Sequence, residues 1–215
     1  MPYRKTPFIN NEIYHVYNRG VAKLPIFYNQ KDKRRLIDVV NYYQFQGPKP
    51  QFSQIRRFKQ LNFEKSPKII EILCYCLMPN HFHFLLRQLK DNGISEFMNK
   101  VGNSYTKYFN TRHERVGPLL QGQFKAVRIE DDDQFMHVSR YIHLNPVASY
   151  LVKDPKEYQW SSYLDYISLR NDGMCVKEPI LSMFRIGYKK SLEAIDYLLI
   201  DLPVVVSRRH TRPYV

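Results

Sequence analysis

Midway along the chain the run IIEILCYCLM (69–78) passes through Pro79-Asn80 into HFHFLLR (81–87), and no other stretch restricts the fold as much. Two apolar runs joined by two turn residues read as a strand hairpin, and its apolarity sets it at the centre of a sheet. The flanking segments supply the other elements. EIYHVYN (12–18) alternates β-branched and aromatic residues and predicts a strand closed by Arg19-Gly20. In KDKRRLIDVVNYYQF (31–45) Leu36, Ile37, Val40 and Tyr43 recur at helical spacing with charge on the other side, and Gly47-Pro48 stops the helix. Ile94, Phe97, Met98, Val101, Tyr105, Tyr108 and Phe109 form a helical stripe across four turns. QFKAVRIE (123–130) predicts a short strand, and Asp131, Asp132 and Asp133 suit a helix N-terminus. That helix is expected to run to Asn145 and to end at Pro146.

The resulting β-α-β-β-α-β order is the ferredoxin-like split βαβ pattern. The expected class is therefore α+β, an antiparallel sheet with helices on one face and the last helix packed beside it, plus a C-terminal extension. Residues 1–150 form the expected catalytic-type domain and 151–215 the extension, with a weaker helical stretch from Tyr188 to Ile200. Residues 48–68, with Arg56, Arg57, Lys59, Lys65 and Lys68, read as a basic flap.

Charge narrows the partner. Lys and Arg number 33 against 20 Asp and Glu, a formal net charge of +13, and 17 Tyr, 13 Phe and one Trp offer rings for bases to stack on. Nucleic acid is the expected partner class. No apolar run approaches the roughly 18 residues of a membrane helix, and the first residues lack the apolar region of a signal peptide. Cys74, Cys76 and Cys175 are an odd number with two too close to bridge, so a disulfide framework is not expected. A cytoplasmic, nucleoid-associated protein is the expectation.

Two residue pairs could carry chemistry. On a strand His81 and His83 point to one face while Phe82 and Phe84 point to the other, so two imidazoles lie side by side on an open sheet face as candidate metal ligands. Solvent-facing or core histidines are the plainer reading. Tyr141 and Asn145 are one helical turn apart, with roughly 6 Å between their Cβ atoms, so a phenol and an amide oxygen approach a common point. A tyrosine is a poor nucleophile at neutral pH unless a positive centre offsets its developing charge, as an ion on His81, His83 and Asn145 would. On spacing alone, Tyr141 as a core residue and Asn145 as a helix cap fit as well. With a tight turn at Pro79-Asn80, Cys76 faces His83, which leaves a structural zinc site as a further alternative.

The motifs CYCLMPNHFHFLL, SYTKYFN, GPLLQGQFKAV, RYIHLNPVASYLV and WSSY, in order behind YHVYNRG at 14–20, resemble the HUH single-tyrosine transposases, in particular the REP-associated tyrosine transposases. The name describes His, a hydrophobic residue and His, here His81-Phe82-His83. The resemblance implies a ferredoxin-like domain that cuts and rejoins single-stranded or hairpin DNA with a divalent metal, Mg²⁺ or Mn²⁺, as a monomer or homodimer. By position, His81 and His83 correspond to the family's metal pair, Asn145 to the polar residue that completes the metal site, and Tyr141 to the nucleophile that forms a 5′-phosphotyrosine link. No GxxxxGK[ST] phosphate loop occurs, consistent with a reaction that conserves bond energy and needs no ATP. Gln123 departs from the arginine usual in the family's QGRF-like motif. Arg19, Lys125, Arg128 and Arg140 lie near motif ends and are candidate DNA contacts, as are Arg208, Arg209 and Arg212 in the tail. A domesticated protein that binds hairpin DNA or RNA without cutting it is the alternative function.

Overall fold

The computed structural model describes residues 7–47, 50–57, 66–184 and 187–188. Residues 48–49 and 58–65 of the basic flap, the helical stretch beyond Tyr188 and the arginine-rich tail lie outside the described residues. Four strands, β1 (Ile13–Arg19), β2 (Ile70–Met78), β3 (His81–Gln88) and β4 (Lys125–Arg128), alternate with helices α1 (Gln30–Tyr43), α2 (Gly93–Arg112) and α3 (Asp132–Ala148). The strands lie in the order β2-β3-β1-β4, and every neighbouring pair is antiparallel. This is the ferredoxin-like sheet that the pattern predicts.

β1 and β2 run parallel with β3 between them, as do β3 and β4 with β1 between them. Right-handed crossovers therefore put α1 and α2 on one face, where they pack against each other. Phe82, Phe84 and Leu86 turn toward these helices and are almost wholly buried. An irregularity between Ile72 and Cys74 leaves Leu73 as the extra residue and reverses the alternation of β2. Cys74 and Cys76 consequently stand opposite Leu85 and His83, on the other face.

That other face is not open. α3 packs against β2 and β3 there and covers the histidines, because its own apolar residues Phe135, Val138, Ile142 and Leu144 have to be buried. α3 starts as expected, with the Asp131 carboxylate accepting from the Gln134 N–H at 2.7 Å. It does not stop at Pro146, which lies inside the helix. Proline removes one N–H in the last turn, and the chain closes the end with the Ser149 N–H on the Asn145 carbonyl and the Leu151 N–H on the Pro146 carbonyl.

The described part of the extension shares the same core. Leu77 N–H donates to the Trp160 carbonyl at 2.9 Å and Ser162 N–H to the Tyr75 carbonyl at 3.0 Å, so residues 160–162 cover the outer edge of β2. Short helices α4 (Tyr163–Tyr166) and α5 (Glu178–Leu181) follow, and Trp160, Tyr163, Tyr166, Met174 and Ile180 are buried with the sheet.

Candidate functional site

β3 presents His81 and His83 on the face beneath α3, their ring centroids 5.0 Å apart. β1 runs alongside and sets Arg19 opposite His81 and Tyr17 opposite His83. From above, α3 brings the Tyr141 ring to 5.6 Å from that of His83. Tyr141 thus meets the strand histidines between strand and helix, with Asn145 one turn further along α3.

Each imidazole has one nitrogen engaged. His81 Nδ1 lies 2.6 Å from Asn80 Oδ1, while Asn80 Nδ2 donates to the Lys23 carbonyl at 3.0 Å. That second bond fixes which way the Asn80 amide points, so His81 Nδ1 carries the proton and its Nε2 the lone pair. His83 Nδ1 lies 2.9 Å from Nε2 of His15, a buried histidine on β1. Among the described residues nothing hydrogen-bonds to His83 Nε2, although it is buried. Burial lowers the pKa of His81 to about 4, with Arg19 adding to the effect, and that of His15 to about 4. It holds His83 well below the usual imidazole range, His15 and His81 contributing. All three rings are neutral at physiological pH, which is the ligand form.

Asn145 is buried and gives its Nδ2 to the Tyr141 backbone carbonyl at 2.8 Å, which leaves Oδ1 as the atom a cation could use. Burial raises the Tyr141 pKa, and the hydrogen-bonding Asn145 amide pulls it the other way. A desolvated phenol is a weak nucleophile, so the arrangement calls for a positive centre beside it. The donor set fits one: two neutral imidazole nitrogens, one of them buried and without a hydrogen-bond partner among the described residues, with an amide oxygen one helical turn from the phenol. Cys76 is a core thiol. Its Sγ lies 3.7 Å from Met78 Sδ, and burial pushes its pKa up. Among the described residues no three His, Cys, Asp or Glu side chains gather as a metal cluster.

The basic candidates separate by strand parity. Arg19 and Lys125, opposite His81 and Tyr17, belong to the histidine face. Arg19 Nε donates to Gln121 Oε1 at 2.6 Å, and Gln121 N–H returns a bond to the Arg19 carbonyl at 2.8 Å. The motif GPLLQGQF therefore wraps the end of β1, with Gly122 at φ 63°, a value glycine adopts without strain, and Gln123 exposed beside it. Arg128 is elsewhere: it stands opposite Tyr14 on the far face and pairs with Glu12 at 2.9 Å. Arg140 spends its guanidinium on the Met136 carbonyl at 3.3 Å and on the Phe184 ring, 5.3 Å away. Sequence reasoning overlooked His15. The signal available was its place on β1, two residues from Tyr17 and thus on the same face.

Comparison with known proteins follows the same residues. Residues 55–145 match the family model described as Transposase IS200 like, a span that includes His81, His83, Tyr141 and Asn145. No curated protein sequence matches the chain. Among solved structures, a REP-associated tyrosine transposase bound to a REP hairpin superposes with a TM-score of 0.52 at 15% identity, over 81% of this chain and 87% of that one. A protein from Deinococcus radiodurans assigned as a transposase gives a TM-score of 0.38 at 11% identity, over 65% of this chain and 95% of that one. With both motif pairs inside the matched span, residues 55–145 of the chain are similar to the IS200-like transposases.

Proposed function

We propose that this protein is a transposase that cuts and rejoins single-stranded DNA at hairpins, with Tyr141 as nucleophile and His81, His83 and Asn145 as the ligands of Mg²⁺ or Mn²⁺. The observation that carries the reading is the Tyr141 ring lying 5.6 Å from an imidazole whose buried Nε2 has no other partner among the described residues. Bound there, the cation would polarise a phosphate oxygen and offset charge building on the phosphorane. The phenol oxygen of Tyr141 attacks the phosphorus, the P–O3′ bond breaks, and the departing 3′ oxygen takes up a proton. A 5′-phosphotyrosine link remains. Attack by a 3′-hydroxyl reverses the step and frees Tyr141, so no external energy source is consumed.

Arg19, held by Gln121 next to His81, and Lys125, two strands from His83, are cations on this face suited to the flanking phosphates. A hairpin substrate is supported by the likeness in fold to a REP-associated tyrosine transposase solved with a REP hairpin. Tyr141→Phe removes one oxygen and keeps the ring. Incubated with labelled hairpin DNA and Mn²⁺, the wild type should form a covalent adduct and Tyr141→Phe none, with hairpin affinity within about twofold of wild type. An adduct persisting in Tyr141→Phe would assign the nucleophile to another residue, and no adduct from either protein while both bind the hairpin would favour the non-cleaving binder instead.

A further inference from the structure

We propose that His15 is a positioning residue: by accepting the Nδ1 proton of His83, it turns the His83 Nε2 lone pair toward the cation site. The proposal rests on His83 being a ligand, as set out above. It starts from strand geometry. His15 stands opposite Leu85, one diagonal step from His83 on the same face of adjacent antiparallel strands. The two rings lie nearly parallel, 21° between planes and 5.1 Å between centroids, with His15 Nε2 and His83 Nδ1 2.9 Å apart. One proton occupies that gap.

Two arrangements are available for it. If His15 Nε2 holds the proton, neutral His83 carries its own on Nε2, where a buried N–H finds no acceptor among the described residues and repels any cation. If His83 Nδ1 holds it, the bond to His15 is kept and the atom facing the site is a lone pair. The neighbouring ligand follows the same plan, since Asn80 Oδ1 can only accept and so fixes His81 with its proton on Nδ1. Two outer partners, Asn80 and His15, thereby present two Nε2 atoms in the same way. His15 is not itself a third ligand in this geometry, because its Nε2 is directed at His83. Nor is it interchangeable with another buried residue of its size, for an aromatic hydrocarbon there could accept nothing.

The test uses the full-length protein. Long-range ¹⁵N–¹H correlation NMR of the imidazoles, recorded without metal at neutral pH, should find His83 as the Nδ1–H tautomer; an Nε2–H tautomer overturns the proposal. Mn²⁺ titrations of His15→Phe and His15→Gln supply the second readout. Phe keeps the ring without an acceptor and should weaken Mn²⁺ binding about 10- to 100-fold, in line with other outer-partner losses. Gln offers Oε1 in place of Nε2 and should restore most of the affinity. Equal Mn²⁺ affinity in wild type and His15→Phe, or a Gln variant as weak as Phe, overturns the acceptor role. If His15→Phe does not fold, the wild-type tautomer and the Gln titration decide. Wild-type protein that binds no Mn²⁺ overturns the metal reading, and an Nδ1–H tautomer in that sample still supports the His15 contact.

Discussion

Neutrality of the buried imidazoles sets the terms of this site residue by residue. His15 and His81 are held to about 4 and His143 to about 3, chiefly by burial, with Arg19 adding at His81 and Arg170 at His143, against 6.5 for an unperturbed imidazole. The unfolded chain takes up protons near 6.5 while the folded one does not, so stability present above 6.5 is lost as the pH falls toward 4. Each histidine kept neutral contributes up to about 1.4 kcal/mol per pH unit in that window. The melting temperature should therefore drop markedly from about pH 7 to about pH 5 and stay level between about pH 7 and pH 8. A melting temperature unchanged at the lower pH would mean that the rings are less sheltered than their surroundings imply. Alternation alone made His81 and His83 legible in the sequence, since a strand fixes which residues share a face. His15 was not legible, because its partner lies 68 positions away and only the pairing of β1 with β3 joins them.

At the level of elements, α3 works from both sides. Tyr141 faces the strand histidines. His143, about 200° round the helix from Tyr141, faces the extension: its Nε2 lies 2.7 Å from Ser162 Oγ and its Nδ1 2.7 Å from the Tyr188 hydroxyl. One arrangement of protons satisfies all of these groups, running from the Tyr188 hydroxyl to His143 Nδ1, from His143 Nε2–H to Ser162 Oγ, and from the Ser162 hydroxyl to the Tyr75 carbonyl. Ser162 Oγ also accepts from Tyr75 N–H at 2.9 Å. Ser162→Ala leaves the imidazole N–H and the strand amide short of partners and should cost about 1–3 kcal/mol in urea unfolding. Ser162→Thr, which keeps the hydroxyl, should cost less than Ser162→Ala, and the reverse order would mean that packing rather than hydrogen bonding decides. Gly20 is the second sensitive point, as a Cβ there would run into the Leu24 backbone carbonyl oxygen, which cannot swing aside as a side chain would. Gly20→Ala should destabilise the β1 end by about 1–3 kcal/mol, overpacking against backbone. The start of α3 was legible from Asp131, but its end was not. A proline in the last turn forfeits one hydrogen bond, and sequence alone does not reveal that Ser149 and Leu151 close the end beyond it. WSSY is opaque for a related reason: its serines and tryptophan act on β2, some 85 residues earlier, as the bond from Tyr75 to Ser162 shows by its separation of 87.

Across the whole molecule the order of elements was legible because each has its own period, while the extension was not, because tertiary contacts rather than any repeat hold it to β2. Charge acts at this scale too. A formal +13 spread over 215 residues draws DNA from any direction, but only cations that share the histidine face can fix a strand across the site. Arg19 and Lys125 meet that condition, whereas Arg128 is on the far face and paired with Glu12. Hairpin binding should weaken about 100-fold from about 50 to 200 mM salt if roughly five phosphates are neutralised, at about 0.7 counterions released per phosphate of single strand. Arg19→Ala should weaken binding at every salt concentration and make the log–log slope shallower by about 0.7–1, one phosphate's share. Arg128→Ala changes the net charge by the same single unit, so a general field effect would move its slope equally. If DNA is instead gripped at the face of β3 and β1, the Arg128→Ala slope stays close to wild type while that of Arg19→Ala shifts. Fluorescence anisotropy of a labelled hairpin against salt, with plain duplex as competitor, reads both slopes, and equal shifts in the two variants would remove Arg19 from the proposed DNA path.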